Sequence, residues 1–105
     1  MDLNEYQELA LRTCSGESAK DPLMTAVLGL SGESGEIADH MKKHLFHGHD
    51  LSEDKILDEL GDIMWYVAIG AKAINKTLDD VGAFNVSKLK LRYPEGFSVE
   101  RSHHK

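Results

Sequence analysis

Through the centre of the chain, apolar side chains return every three or four residues. Ile56, Leu60, Ile63, Met64, Val67, Ala71 and Ile74 fall within about 80° of one another on a wheel turning about 100° per residue. That period belongs to a helix with one buried face and is incompatible with the two-residue alternation of a strand. The preceding run repeats it with Leu23, Ala26, Val27, Leu30, Ile37, Met41 and Leu45, and both stripes are expected to be core. Only Pro22 and Pro94 interrupt the chain, and capping residues mark four helix starts: Asp2 with Glu5, Asp21 before Pro22, Ser52, and Thr77 with Asp80. They predict helices over roughly 3–14, 22–46, 53–75 and 78–92, ended in the last case by Pro94. The short linker after His47 makes the two long helices antiparallel. The expectation is an all-α, four-helix bundle in a single domain over 1–105, with 94–105 an irregular tail. A chain of 105 residues buries a modest core, so packing against identical copies, as a homodimer or homotetramer, is expected to complete the bundle.

Charge is concentrated rather than spread. Residues 33–62 carry nine acids (Glu33, Glu36, Asp39, Asp50, Glu53, Asp54, Asp58, Glu59, Asp62) against Lys42, Lys43 and Lys55, which accounts for the whole formal net charge of −6. Such a window repels a phosphate backbone unless cations intervene, which argues against a nucleic-acid polymer as partner. No stretch approaches the apolar length of a membrane span and no leader pattern opens the chain. Cys14 is the single cysteine, so no intrachain disulfide or multi-cysteine zinc site can form, and a reducing cytoplasm is the expected setting.

Within the acidic window two pairs stand out. Glu33 and Glu36 are three apart, as are Glu59 and Asp62, which places each pair on adjacent turns of one helix face. In an antiparallel hairpin turning near residues 49–50, position 36 lies level with 62, 39 with 59 and 33 with 65. The two pairs therefore face each other, partly inward, where uncompensated carboxylates repel. A shared divalent cation resolves the strain, and an all-oxygen ligand set suits Mg²⁺, with Mn²⁺ as substitute, better than zinc or iron. The glycine run GLSGESGE lacks the Lys-Ser/Thr ending and preceding strand of a phosphate loop. In a helix Gly29, Gly32 and Gly35 each cost about 1 kcal/mol relative to alanine, and Gly29 and Gly32 leave space beside the carboxylates for a ligand or a neighbouring helix.

The order ExxE, 22 intervening residues, ExxD, then KxxxRYP resembles the MazG-like nucleotide pyrophosphohydrolases, the all-α NTP pyrophosphatases. The likeness runs over roughly residues 22–98, through GLSGESGEIADHMKK, LFHGH, ILDELGDIMWYV and KLKLRYPEGFS. It implies that Glu33, Glu36, Glu59 and Asp62 are catalytic Mg²⁺ ligands. It further implies cleavage of a nucleoside triphosphate between the α and β phosphates to nucleoside monophosphate and pyrophosphate, with removal of noncanonical or excess nucleotides as the role. The dUTP- and phosphoribosyl-ATP-cleaving enzymes reuse similar carboxylate bundles and are the alternatives within the class. A noncatalytic helical assembly protein with an acidic partner-binding face is the alternative outside it.

Other residues are candidates for substrate contact. Asn85, Lys88 and Arg92 share a stripe of the last helix with Val81, which turns it partly inward, and cations there fit triphosphate oxygens. The resemblance favours Lys88 and Arg92 as phosphate contacts, across a subunit boundary if need be. Tyr66, four residues after Asp62, is a candidate for the base or sugar, with core packing as the competing reading, while Trp65 points elsewhere, toward packing or an interface. Lys43 follows Glu36 and His40 on one stripe, within reach of a phosphate. His40, His44 and His47 have helical spacing, but no ExxH occurs, so a di-iron bundle lacks its ligands. His47 and His49, flanking Gly48, are expected to line a pocket.

Overall fold

A computed structural model of the protein describes residues 1–103; His104 and Lys105, the end of the expected irregular tail, lie outside the described residues. Six helical segments follow in order: α1 (Leu3–Leu11), α2 (Glu17–Lys20), α3 (Pro22–His47), α4 (Glu53–Ala73), α5 (Leu78–Arg92) and α6 (Val99–Ser102). No strand occurs among the described residues, so the fold is all-α. Each of the four expected start signals caps its helix. The Asp2 side chain accepts from the Glu5 N–H, Asp21 from Met24 and Ser52 from Lys55, while Thr77 and Asp80 form a reciprocal capping box.

The differences from expectation are local. The first helix stops at Leu11 instead of 14, because the Thr13 hydroxyl donates to the Ala10 carbonyl at 2.7 Å and competes with the helical ladder. The one-turn α2 follows where no helix was expected. α4 ends at Ala73 instead of 75: Asn75 takes φ 61° and the Lys76 N–H closes back on the Ala71 carbonyl at 2.8 Å. The tail is not wholly irregular. Ser98 caps the single turn of α6, and the Arg101 guanidinium donates to the Arg92 and Leu91 carbonyls.

α3 and α4 form the antiparallel hairpin and share the largest interface. Gly29 lies against Tyr66, Ala26 against Gly70 and His40 against Glu59, one number rising as the other falls. Gly48, at φ 70°, closes α3 in the left-handed conformation that glycine adopts without penalty. α1 crosses the other end of α4, held by a buried amide. Gln7, 5% exposed, donates through Nε2 to the Ala68 and Lys76 carbonyls and accepts through Oε1 from the Leu78 N–H, at 3.0–3.2 Å. Ala10, Ala68, Ala71 and Leu78 form the core there, with Tyr6, Trp65 and Val67 packed on it.

That core is smaller than the two stripes predicted. Leu60 is 47% exposed, Ile74 57%, Val27 56% and Leu45 63%, because α4 turns its Glu59 side toward α3 and leaves much of its apolar stripe outward. The radius of gyration is 16.6 Å, against about 13 Å for a compact domain of this length. A single copy has too few helices to cover its own hairpin.

Candidate functional site

The hairpin brings three of the four expected carboxylates to one point. Glu33 from α3 and Glu59 and Asp62 from α4 each offer an oxygen, and these oxygens lie within 4.8 Å of one another. Glu59 is 7% exposed, Glu33 is half-buried and Asp62 is exposed at the mouth. One carboxylate oxygen of Glu33 and one of Glu59 are buried with no hydrogen-bond partner. Unpaired buried acceptors of this kind are costly, and a hard cation with oxygen ligands answers the cost.

Glu36 stands at the rim instead of in the cluster, exposed, so the two pairs do not meet symmetrically. Its charge is still felt. Glu33 is pushed up to about 7, first by the close approach of the Glu59 carboxyl, then by burial and the charges of Glu36 and Asp62. At Glu59 the Glu33 contact acts downward, but burial, the contact with Glu36 and the charges of Glu36 and Asp58 outweigh it and raise the group overall.

His40 adds a contact the sequence reading did not assign: its Nε2 lies 3.5 Å from Glu59 Oε1. The signal was available in the hairpin register, which sets position 39 level with 59. Tyr6 of α1 is the second unassigned neighbour, its phenol raised by burial and by the charge of Asp62. Nothing in the sequence announces it, since the docking of α1 on α4 rests on long-range contacts of Gln7, Ala10 and Trp65.

Tyr66 fills the space beside Gly29: a Cβ built there would overlap its ring. Its ring also meets Trp65 edge-on at 5.1 Å. The gap at Gly29 therefore serves a neighbouring helix. Gly32 and Gly35 have nothing near their missing side chains and open onto a groove lined also by Glu36, Asp39, His40 and Glu59. Trp65 packs, as expected, its Nε1 donating to the Ala10 carbonyl and to Thr13 Oγ1.

Beyond His40 the groove leads toward the turn of the hairpin. There a cavity of about 200 Å³ is lined by His40, Lys43, His49, Asp50, Ser52 and Lys55. Lys43 Nζ pairs with Asp39 at 2.8 Å, which with the nearby Lys42 holds Asp39 below the usual carboxylate range. His49 lines the cavity as expected, but His47 does not. The His49 backbone is fixed at both ends, its N–H donating to the Lys43 carbonyl at 3.2 Å and its carbonyl accepting from His44 Nδ1 at 2.9 Å.

The stripe of Asn85, Lys88 and Arg92 is not turned inward within one chain. Asn85 and Lys88 are exposed and Arg92 is half-buried; even Val81, the basis for the inward reading, is 39% exposed. α5 is anchored at its start, through the Leu78 N–H on Gln7 and the Asp79 N–H on Asn4, and the rest of its length carries exposed Phe84 and Leu91. The stripe makes no hydrogen bond or ion pair with a site carboxylate among the described residues.

Comparison with known proteins agrees with the geometry. Residues 22–97 match the family model of the MazG nucleotide pyrophosphohydrolase domain. The chain is also 38% identical to the Gene 37 protein of Mycobacterium phage L5, over 91% of this chain and 92% of that protein. No solved structure matches it.

Proposed function

The chain belongs to the MazG nucleotide pyrophosphohydrolase family, and we propose that it hydrolyses a nucleoside or deoxynucleoside triphosphate between the α and β phosphates, with Mg²⁺ held by Glu33, Glu59 and Asp62. The convergence of three carboxylates around two unpartnered buried oxygens carries this reading. Bound there, Mg²⁺, or Mn²⁺ in its place, would neutralise phosphate charge and acidify an attacking water.

The chain's own residues do the rest. Glu36 stands outside the cluster at the rim of the groove, and we assign it the water's proton. The water oxygen bonds to the α-phosphorus as the bond to the α–β bridging oxygen breaks, and that oxygen leaves with its electron pair on pyrophosphate. The open side at Gly32 and Gly35 admits the nucleoside, with Tyr66 forming the wall beyond it. Asn85, Lys88 and Arg92 reach phosphate only from a second copy, in a homodimer or homotetramer whose contacts cover Leu28, Leu45, Phe46, Phe84 and Leu91, each over 60% exposed in one chain. No helix among the described residues is long and apolar enough to cross a membrane. The role we assign is the clearing of noncanonical or surplus nucleotides, in the cytoplasm.

A panel of nucleotides, dUTP and phosphoribosyl-ATP included, assayed with and without Mg²⁺ tests the reading. Monophosphate and pyrophosphate from at least one member are expected. A diphosphate with orthophosphate contradicts the cleavage site, and no turnover across the panel favours a noncatalytic acidic surface.

A further inference from the structure

The two faces of the hairpin carry their charges in the same sequence. On α4, Lys55, Glu59, Asp62 and Tyr66 recur at helical spacing; on α3, Lys43, His40, Glu36, Glu33 and Gly29 run alongside in the opposite direction. One end of the site is an aromatic wall, the middle is acidic, and the turn end presents two lysines, Lys43 paired with Asp39 and Lys55, beside Asp50. Lys55 lies one turn before Glu59, about 6 Å along the helix axis, and both lysines line the cavity at the turn. Among the residues lining the groove and that cavity, Lys43 and Lys55 are the lysines and no arginine occurs.

We infer that this cavity between His49 and Lys55 seats the β and γ phosphates of the substrate, and therefore the pyrophosphate it releases. The identity of the anion rests on the proposed activity; the polarity rests on the cavity. A triphosphate crossing four carboxylates carries most of its charge on the β and γ groups. Those groups are stable only where cations meet them. Lys43 gives one of its three N–H donors to Asp39 and keeps two; the Lys55 ammonium makes no ion pair among the described residues. Asp50, the one acid lining the cavity, leaves it less basic than the lysines alone would make it, which suits release of the product over its retention. Within one chain, the reversed orientation would carry the terminal phosphates away from Lys43 and Lys55, the lysines that line the cavity and the groove.

The test uses inorganic pyrophosphate and Mg²⁺ as probes with the full chain, by calorimetric titration at fixed ionic strength. Lys55→Gln should weaken pyrophosphate binding in the presence of Mg²⁺ by about tenfold, as expected for loss of one charge-assisted contact, and leave binding of Mg²⁺ alone within about twofold of wild type. Lys55→Arg, which keeps the charge, should restore most of the affinity. Lys72→Gln, on α4 away from this cavity, should change neither. Unchanged pyrophosphate affinity in Lys55→Gln overturns the inference, as does an equal loss in Lys72→Gln or an equal loss of Mg²⁺ binding. The outcome is separable from that of the nucleotide panel. Lys55-dependent pyrophosphate binding without nucleotide turnover would leave the anion seat standing and remove the activity; turnover with Lys55-independent pyrophosphate binding would do the reverse.

Discussion

Gly29 and Gly32 sit one turn apart on the same helix, yet alanine should act on them with opposite signs. In an exposed helix interior, Gly→Ala contributes about 1 kcal/mol of stability by restricting the unfolded chain. Gly32 has open space beside it, so Gly32→Ala should realise that gain, raising the melting temperature by about 4–8 °C for a domain of this size. At Gly29 the new methyl would enter the Tyr66 ring. That ring is braced edge-on by Trp65, itself bonded to Ala10 and Thr13, and cannot step aside freely. Overpacking of this kind costs about 1–3 kcal/mol, so Gly29→Ala should be net destabilising by up to about 2 kcal/mol after the helix gain is subtracted. A double-mutant cycle isolates the clash. In a Tyr66→Ala background Gly29→Ala should become stabilising, with a coupling energy of about 1–3 kcal/mol. Urea unfolding of the four proteins, read by circular dichroism, measures it. A Gly29→Ala protein as stable as Gly32→Ala, or a coupling energy near zero, would refute the packing of Tyr66 on Gly29.

Three further outcomes follow from other contacts. In metal-free buffer stability should rise as pH falls from 8 toward 5. The folded-state pKa of Glu33, about 7, lies above its ordinary value of 4.5, so the folded chain binds the extra proton in that window and loses the benefit above it; melting temperatures that fall on acidification contradict the carboxylate contact. Gln7→Leu should lower unfolding stability by at least about 2 kcal/mol, since each buried group left unpaired costs about 1–3 kcal/mol; a loss below about 0.5 kcal/mol would show that α1 docks by other means. Light scattering should give a mass at least twice the 11.7 kDa of one chain, and an active species of that single-chain mass would exclude any role for Asn85, Lys88 and Arg92 supplied by a second copy.

The helix starts were legible because each is set by two or three neighbouring residues: Thr77 and Asp80 form their capping box whatever the rest of the chain does. That the two carboxylate pairs share one level of the hairpin was legible because helix spacing and a short turn fix an antiparallel register. That register set position 36 level with 62 and 33 with 65, whereas Glu33 is the α3 carboxylate that meets Glu59 and Asp62. What depended on a third element was not. The exposure of Leu60 and Ile74 reflects how few helices one copy has to cover them. Tyr6 reaches the neighbourhood of Asp62 because Gln7 and Trp65 tie α1 to groups more than 50 positions away. The Asn85 stripe was read as inward from Val81, but one half-exposed valine is too little apolar area to turn a helix that is held only at its start.

The most direct test of the central claim, that the hairpin carboxylates hold a divalent cation the reaction needs, is the Mg²⁺-induced thermal stabilisation of Asp62→Asn measured beside its turnover. Asparagine keeps the size of the side chain and deletes one ligand charge. Without metal the variant should be as stable as wild type or slightly more so, because like-charge repulsion is relieved. With Mg²⁺ at about 100 times its dissociation constant, wild type should gain about 2.7 kcal/mol; the variant should gain much less at the same concentration, and its turnover should fall by orders of magnitude as the developing phosphate charge loses its counter-ion. Wild-type turnover with an unchanged response to Mg²⁺ in Asp62→Asn would contradict the account.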